Sequence, residues 1–178
     1  DDRIPRKTIG AQELILDLLK ERAETGRVYI MNIDHCNEHS SFKDKVNMSN
    51  LCQEITLPTD PISHIDGEGE IALCILSAIN VGKLRDLGEL EELCDLAVRG
   101  LEELIDYQQY PVDAARVSTL ARRSLGVGYI GLAHYLAKQG VKYDDPKAWK
   151  LVHDLSEAFQ YNLLKSSNKL AQEKGPCG

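Results

Sequence analysis

The stretch that decides the architecture is "EIALCILSAIN", residues 70–80. After Glu70 it carries no charge, and it is about as long as a strand. Such a run is expected of a strand covered on both faces, as in a parallel sheet, rather than of one that alternates apolar and polar residues. Downstream, "GELEELCDLAVRGLEELIDY" (88–107) sets Leu90, Leu93, Leu96 or Ala97, Leu101, Leu104 and Ile105 at helical spacing. Pro111 then opens a second helical stretch that runs to Arg122. In "SLGVGYIGLAHYLAKQG" (124–140) a short turn or strand feeds a helix. A final helix is expected over 146–174, with Trp149, Val152, Leu155, Phe159, Leu163 and Leu170 on one stripe.

Upstream, residues 8–25 place Leu14, Ile15, Leu18 and Leu19 on one side and stop at Gly26, which reads as a helix with a glycine terminus. "RVYIMNID" (27–34) reads as a strand. Residues 35–69 are rich in Asn, Ser, Asp and Pro, so a long ordered loop is expected there, enclosing a short extended piece around 50–57. A loop of that length inside a compact domain usually carries function. The alternation of helix and strand predicts an α/β fold with parallel strands.

Composition excludes several classes. The chain has 178 residues, of which 43% are hydrophobic and 28% charged, with a formal net charge of -7. That is an ordinary globular composition, long enough to bury one sizeable core. The acidic balance argues against a track for nucleic-acid phosphates. No apolar run approaches the roughly 18 residues of a membrane span, and no secretory leader is recognisable. The chain starts at Asp1 and ends in "QEKGPCG", which reads as a piece of a longer protein. Its five cysteines, Cys36, Cys52, Cys74, Cys94 and Cys177, are odd in number and irregularly spaced, as expected of free thiols in a reducing compartment.

Three constellations bear on chemistry. "GVGYIG", Gly126 to Gly131, matches the dinucleotide fingerprint, but the residues before it make a poor strand, and Asp144 and Asp145 come too early for the acidic partner. Tight packing of strand to helix is the better reading. In "DHCNEH" (34–39), His35, Cys36 and His39 could ligate a metal, yet no second cluster completes a four-ligand site, so satisfied loop or core side chains are expected and no metal is assigned.

The third is "SNLCQE" (49–54), with Asn50, Cys52 and Glu54 at every second position. In an extended segment all three would point to one side, opposite Leu51 and Gln53. A neighbouring carboxylate does nothing to stabilise a thiolate, which argues against a cysteine protease or phosphatase. The pairing makes sense if sulfur acts as a radical and the carboxylate as a base. Cys74, inside its apolar run, reads on its own as a small buried hydrophobe.

"SNLCQEITLPT" followed by "GEIALCILSAINVG", with "YIMNIDHCNEHSSF" before them and "ARRSLGVGYIGLAHYLAKQG" after, resembles the catalytic-barrel region of the large subunits of class I ribonucleotide reductases, in their bacterial and phage form. The likeness runs from about Arg3 to Gly178. It implies that residues 1–178 are part of a ten-stranded α/β barrel with an inserted finger loop at about 35–69. It also implies thiyl-radical reduction of ribonucleotides for DNA synthesis. In that resemblance Cys52 is the transient thiyl radical at the finger tip, Glu54 takes the 3′-hydroxyl proton and Asn50 holds the substrate hydroxyls. Cys74 is one of two cysteines that end as a disulfide, its partner lying outside this chain.

The resemblance further implies a ribonucleoside diphosphate substrate and a metal-containing small subunit that supplies the radical. Thioredoxin or glutaredoxin would be the reductant, with no cofactor in this chain, and the location would be cytoplasmic, or host cytoplasm for a phage protein. The ATP-binding regulatory region, the radical-passing tyrosines, the substrate-phosphate loop and the shuttle cysteines of the family would lie outside residues 1–178. The alternative is a non-catalytic fragment or interaction module of the same fold that needs the rest of the subunit. Neither membrane nor direct nucleic-acid binding is expected.

Overall fold

The computed structural model describes residues 3–63 and 69–178, which fall into two compact units, Asp1–Pro58 and Thr59–Gly178. In the first unit, α1 (Ala11–Thr25) stops where Gly26 takes a left-handed conformation and its N–H returns to Arg22 O at 2.9 Å. The stripe of Leu14, Ile15, Leu18 and Leu19 is exposed.

The strand expected over 27–34 does not form. Residues 27–32 have no regular structure, and Ile33 begins α2 (Ile33–Glu38), with Cys36 N–H donating to Asn32 O at 3.1 Å. β-Prone residues become a strand only beside a partner, and the described residues of this unit contain no other strand. After α2 the chain is pinned by Asn37. Its side chain accepts from Val46 N–H at 2.9 Å and donates to Val46 O at 2.8 Å, and Val46 is buried.

The second unit is built on a parallel pair. β1 (Ile75–Asn80) leads through a 3₁₀ turn at Val81–Lys83 and another at Leu87–Glu89 into α3 (Leu90–Tyr107) and α4 (Asp113–Arg122). The chain then returns as β2 (Leu125–Ile130), in register from Ile75 opposite Leu125 to Asn80 opposite Ile130. α5 (Leu132–Lys138) and α6 (Pro146–Lys174) follow. Asp145 starts α6 by accepting from Lys147 N–H at 2.9 Å, with Pro146 in the first turn, where its missing N–H costs nothing. Helix crossovers between parallel strands are the arrangement the alternating pattern predicts.

The core joins Ile79, Val81 and Leu84 to Leu90 and Cys94 of α3, Tyr135 and Leu136 of α5, and Ala148, Leu155 and Phe159 of α6. Each fully buried Leu or Ile contributes about 1.5–3 kcal/mol relative to exposure. The Phe159 ring meets Tyr129 edge-on, centroids 5.4 Å apart.

The buried side of each helix is rotated slightly from the sequence expectation. On α6 it runs Ala148, Leu155, Phe159, Ser166, Leu170, leaving Trp149 74% exposed, because the small Ala148 faces the core. On α3 it runs through Leu90, Cys94, Val98, Leu101 and Ile105, leaving Leu96 and Leu104 outside.

β1 is covered on one face only. Ile79 is buried, whereas Leu76 is 61% exposed, and Ile130 on β2 is 55% exposed. The expectation of burial on both faces is therefore not met by the described residues. Residues 71–74, expected as strand, have no regular secondary structure and lead into β1.

Candidate functional site

The segment 49–55 is a closed turn rather than an extended strand, which corrects the expected geometry. Asn50 O accepts from Gln53 N–H at 3.1 Å, and Gln53 sits at φ 60, in the left-handed region. Asn50 Oδ1 accepts from Ile55 N–H at 3.0 Å, and Ser49 Oγ donates to Ile55 O at 2.6 Å. Ser49 Oγ also lies 3.2 Å from Asn50 Oδ1.

The alternation is lost because these side-chain bonds satisfy the backbone locally, whereas an extended segment here would have no ladder partner. Cys52 stands in the turn with Leu51 and Gln53, and Cys52 and Glu54 are both exposed. Asn50 thus closes the turn through its side-chain carbonyl oxygen.

Cys74 belongs to the second unit, half-buried in the residue before β1. Its surroundings are fixed from both sides. Arg122, at the end of α4, pairs with Glu70 at 2.8 Å, and Ile71 N–H donates to Ala114 O at 3.3 Å. Immediately after Cys74, Ile75 N–H donates to Ser124 O at 3.3 Å, starting the register with β2. Cys74 Sγ lies 4.0 Å from Ile75 O. The Asn50, Cys52 and Glu54 turn and Cys74 therefore stand on separate units.

The glycines of "GVGYIG" lie within and just after β2, not in a loop beyond a strand. Gly131 has φ 78, and a Cβ there would fall 2.5 Å from Asn80 Oδ1, so the packing reading accounts for it. His35 and Cys36 are on α2, and His39 caps its end. Among the described residues, three potential ligands converge at His153, Asp154 and Glu157 on α6. There both Asp154 oxygens already accept from Lys150 Nζ at 2.9 Å. Among the described residues no helix is long and apolar enough to cross a membrane.

Sequence reasoning missed Ser49 and Gln53 as turn-forming residues. The Ser-Asn pair ahead of the thiol was the available signal, since both types bond their own backbone a few residues on.

A family model described as ribonucleotide reductase, barrel domain, matches residues 1–178. The ribonucleoside-diphosphate reductase subunit alpha of Haemophilus influenzae is 58% identical over 99% of this chain. The ribonucleoside-diphosphate reductase 1 subunit alpha of Escherichia coli is 52% identical over 99% of it. The ribonucleoside-diphosphate reductase subunit alpha of Enterobacteria phage T4 is 42% identical over 99% of it. The chain spans 24%, 24% and 23% of those three proteins, respectively.

Proposed function

This chain belongs to the ribonucleotide reductase barrel-domain family, and from that premise we propose that it is the catalytic segment of a ribonucleoside-diphosphate reductase large subunit. The observation that carries the proposal is the closed turn at 49–55, which presents an exposed thiol and, two residues on, an exposed carboxylate, steadied by an amide. A sugar radical next to a leaving hydroxyl needs a hydrogen-abstracting atom, a base and an orienting donor within contact distance of one ring.

In this reading Cys52, as thiyl radical, takes the hydrogen from ribose C3′. Glu54 accepts the 3′-hydroxyl proton while the C2′–O bond breaks and the oxygen leaves as water. Cys74 and a cysteine outside residues 1–178 supply two electrons and two protons and close to a disulfide, so that a C2′–H bond replaces C2′–O. Glu54 then gives its proton back to the 3′-oxygen and Cys52 returns its hydrogen to C3′, regenerating the thiyl radical. Asn50 Nδ2 steadies the sugar hydroxyls.

The substrate is a ribonucleoside diphosphate. The partners are the remainder of the large subunit, a metal-containing small subunit that generates the radical, and thioredoxin or glutaredoxin as reductant. Nucleotide effectors bind outside this segment, and the reaction belongs to the cytoplasm. The exposed face of β1 and β2 fits a segment that works only within the whole subunit.

The test is Cys52→Ser in the complete subunit with its radical-generating partner. An O–H bond is too strong for serine to carry the radical, so folding and nucleotide binding should persist while turnover is abolished. Measurable deoxynucleotide formation by the variant would overturn the assignment.

A further inference from the structure

Across the parallel pair, Gly126 stands opposite Leu76 in register. A Cβ at Gly126 would fall 3.0 Å from Cys74 Sγ, inside van der Waals contact, and closer still to Leu76 Cδ2. Gly128, two residues on and on the same face of the strand, would meet nothing within 4 Å. Two glycines of one strand therefore differ in what occupies the space a side chain would fill. At Gly128 that space is open, and at Gly126 it holds the Cys74 thiol and the Leu76 methyl.

We infer that Gly126 is a positioning residue for Cys74: its bare Cα gives the thiol room to lie across β2 and sets where the sulfur stands for disulfide formation. The inference rests on the reading of Cys74 as a redox thiol. A disulfide forms only when the two sulfurs can close to about 2.05 Å with a restricted dihedral angle, so a methyl group that displaces Sγ acts directly on that step. The main chain of β2 does not have to move for this, because both atoms in the way are ends of side chains. Substitution should shift the thiol while the strand pair survives.

The experiment compares Gly126→Ala with Gly128→Ala in the complete subunit with its radical-generating partner. Three quantities are read: the rate of Cys74 alkylation by iodoacetamide in the resting protein, the yield of Cys74 disulfide by peptide mapping after one turnover without reductant, and kcat against KM. Gly126→Ala should alter the alkylation rate severalfold and lower kcat and disulfide yield on the order of tenfold or more, with KM unchanged. Gly128→Ala should stay within about twofold of wild type in all three, as expected where no contact is disturbed.

The same pair is repeated in a Leu76→Ala background, which removes the other clash and provides a folded reference if Gly126→Ala alone does not accumulate. There Gly126→Ala should still slow Cys74. Rates restored to the Leu76→Ala level would mean that Gly126 serves Leu76 packing, and the inference falls. Wild-type alkylation and turnover in Gly126→Ala overturn it as well. A wild-type Cys74 that enters no disulfide defeats the redox reading itself, whereas a wild-type disulfide with Gly126→Ala indistinguishable from it defeats only the positioning role.

Discussion

Asn50 Oδ1 accepts the Ile55 N–H at 3.0 Å and thereby closes the turn on which Cys52 stands. A side-chain acceptor for a backbone donor of this kind contributes about 0.5–1.5 kcal/mol. Asn50→Ala should therefore speed hydrogen exchange at the Ile55 amide by roughly three- to tenfold. Asn50→Asp keeps an acceptor at that place and should preserve the protection. Both variants should lose activity in the complete enzyme, because both lack Nδ2. Equal exchange at Ile55 in the alanine variant would show that the turn does not depend on this bond.

Glu54 lies within the turn and is exposed. Glu54→Gln keeps the size and polarity but cannot accept a proton. In the complete enzyme it should bind substrate normally and lose at least about 10²-fold in kcat, the usual range for a general base. Undiminished turnover would remove Glu54 from the proton transfer.

In the second unit Arg123 bridges two acidic residues of α3. Arg123 donates from Nε to Glu102 Oε1 at 2.6 Å, and from Nη1 and Nη2 to Asp106 at 2.9 and 2.8 Å. Glu102 is buried, and Arg123 adopts φ 48 to reach it. Arg123→Ala strands a buried carboxylate and should destabilise the unit by about 3 kcal/mol, read as a fall in melting temperature. Arg123→Lys should fall between the alanine variant and wild type, since an ammonium cannot bridge both acids in the same planar fork. The Arg123 guanidinium also holds the Asp106 carboxyl below its ordinary range. Asp106 therefore contributes stability that is present above the ordinary Asp range and lost as pH falls through its lowered folded value. In Arg123→Ala that part of the acid sensitivity should disappear.

Cys94 reports the core in the alkaline direction. It is fully buried, and burial pushes its thiol up to about 11 from an ordinary 9.0. Between those values the unfolded chain releases the proton and the folded one keeps it, so stability falls as pH rises from about 9 to about 11. Cys94→Ala should flatten the pH dependence of the melting temperature in that window. An unchanged profile would assign the alkaline loss to other groups. In the native protein Cys94 should also resist alkylation at pH 8, and ready labelling there would contradict its burial.

The sequence by itself determined the helices of the second unit and the strand that ends at Asn80, whereas the pairing of that strand with β2 came from the fold. Periodic apolar residues and local signals sufficed: Asp145 and Pro146 at the start of α6, and the charge-free run into Asn80. These are short-range effects, set by backbone capping and by the faces of regular elements. The family likeness was legible as well, because the order of residue types around Asn50, Cys52, Glu54 and Cys74 carries it.

Three features were left to the tertiary structure. β-Prone "RVYI" stays irregular because a strand exists only beside another strand, which no local pattern supplies. The alternation at 50–54 became a turn because Ser49 and Asn50 satisfy Ile55 through their side chains, a competition that spacing alone does not resolve. The difference between Gly126 and Gly128, identical in sequence terms, exists only because Cys74 and Leu76 converge over one of them, and that convergence depends on the register between β1 and β2.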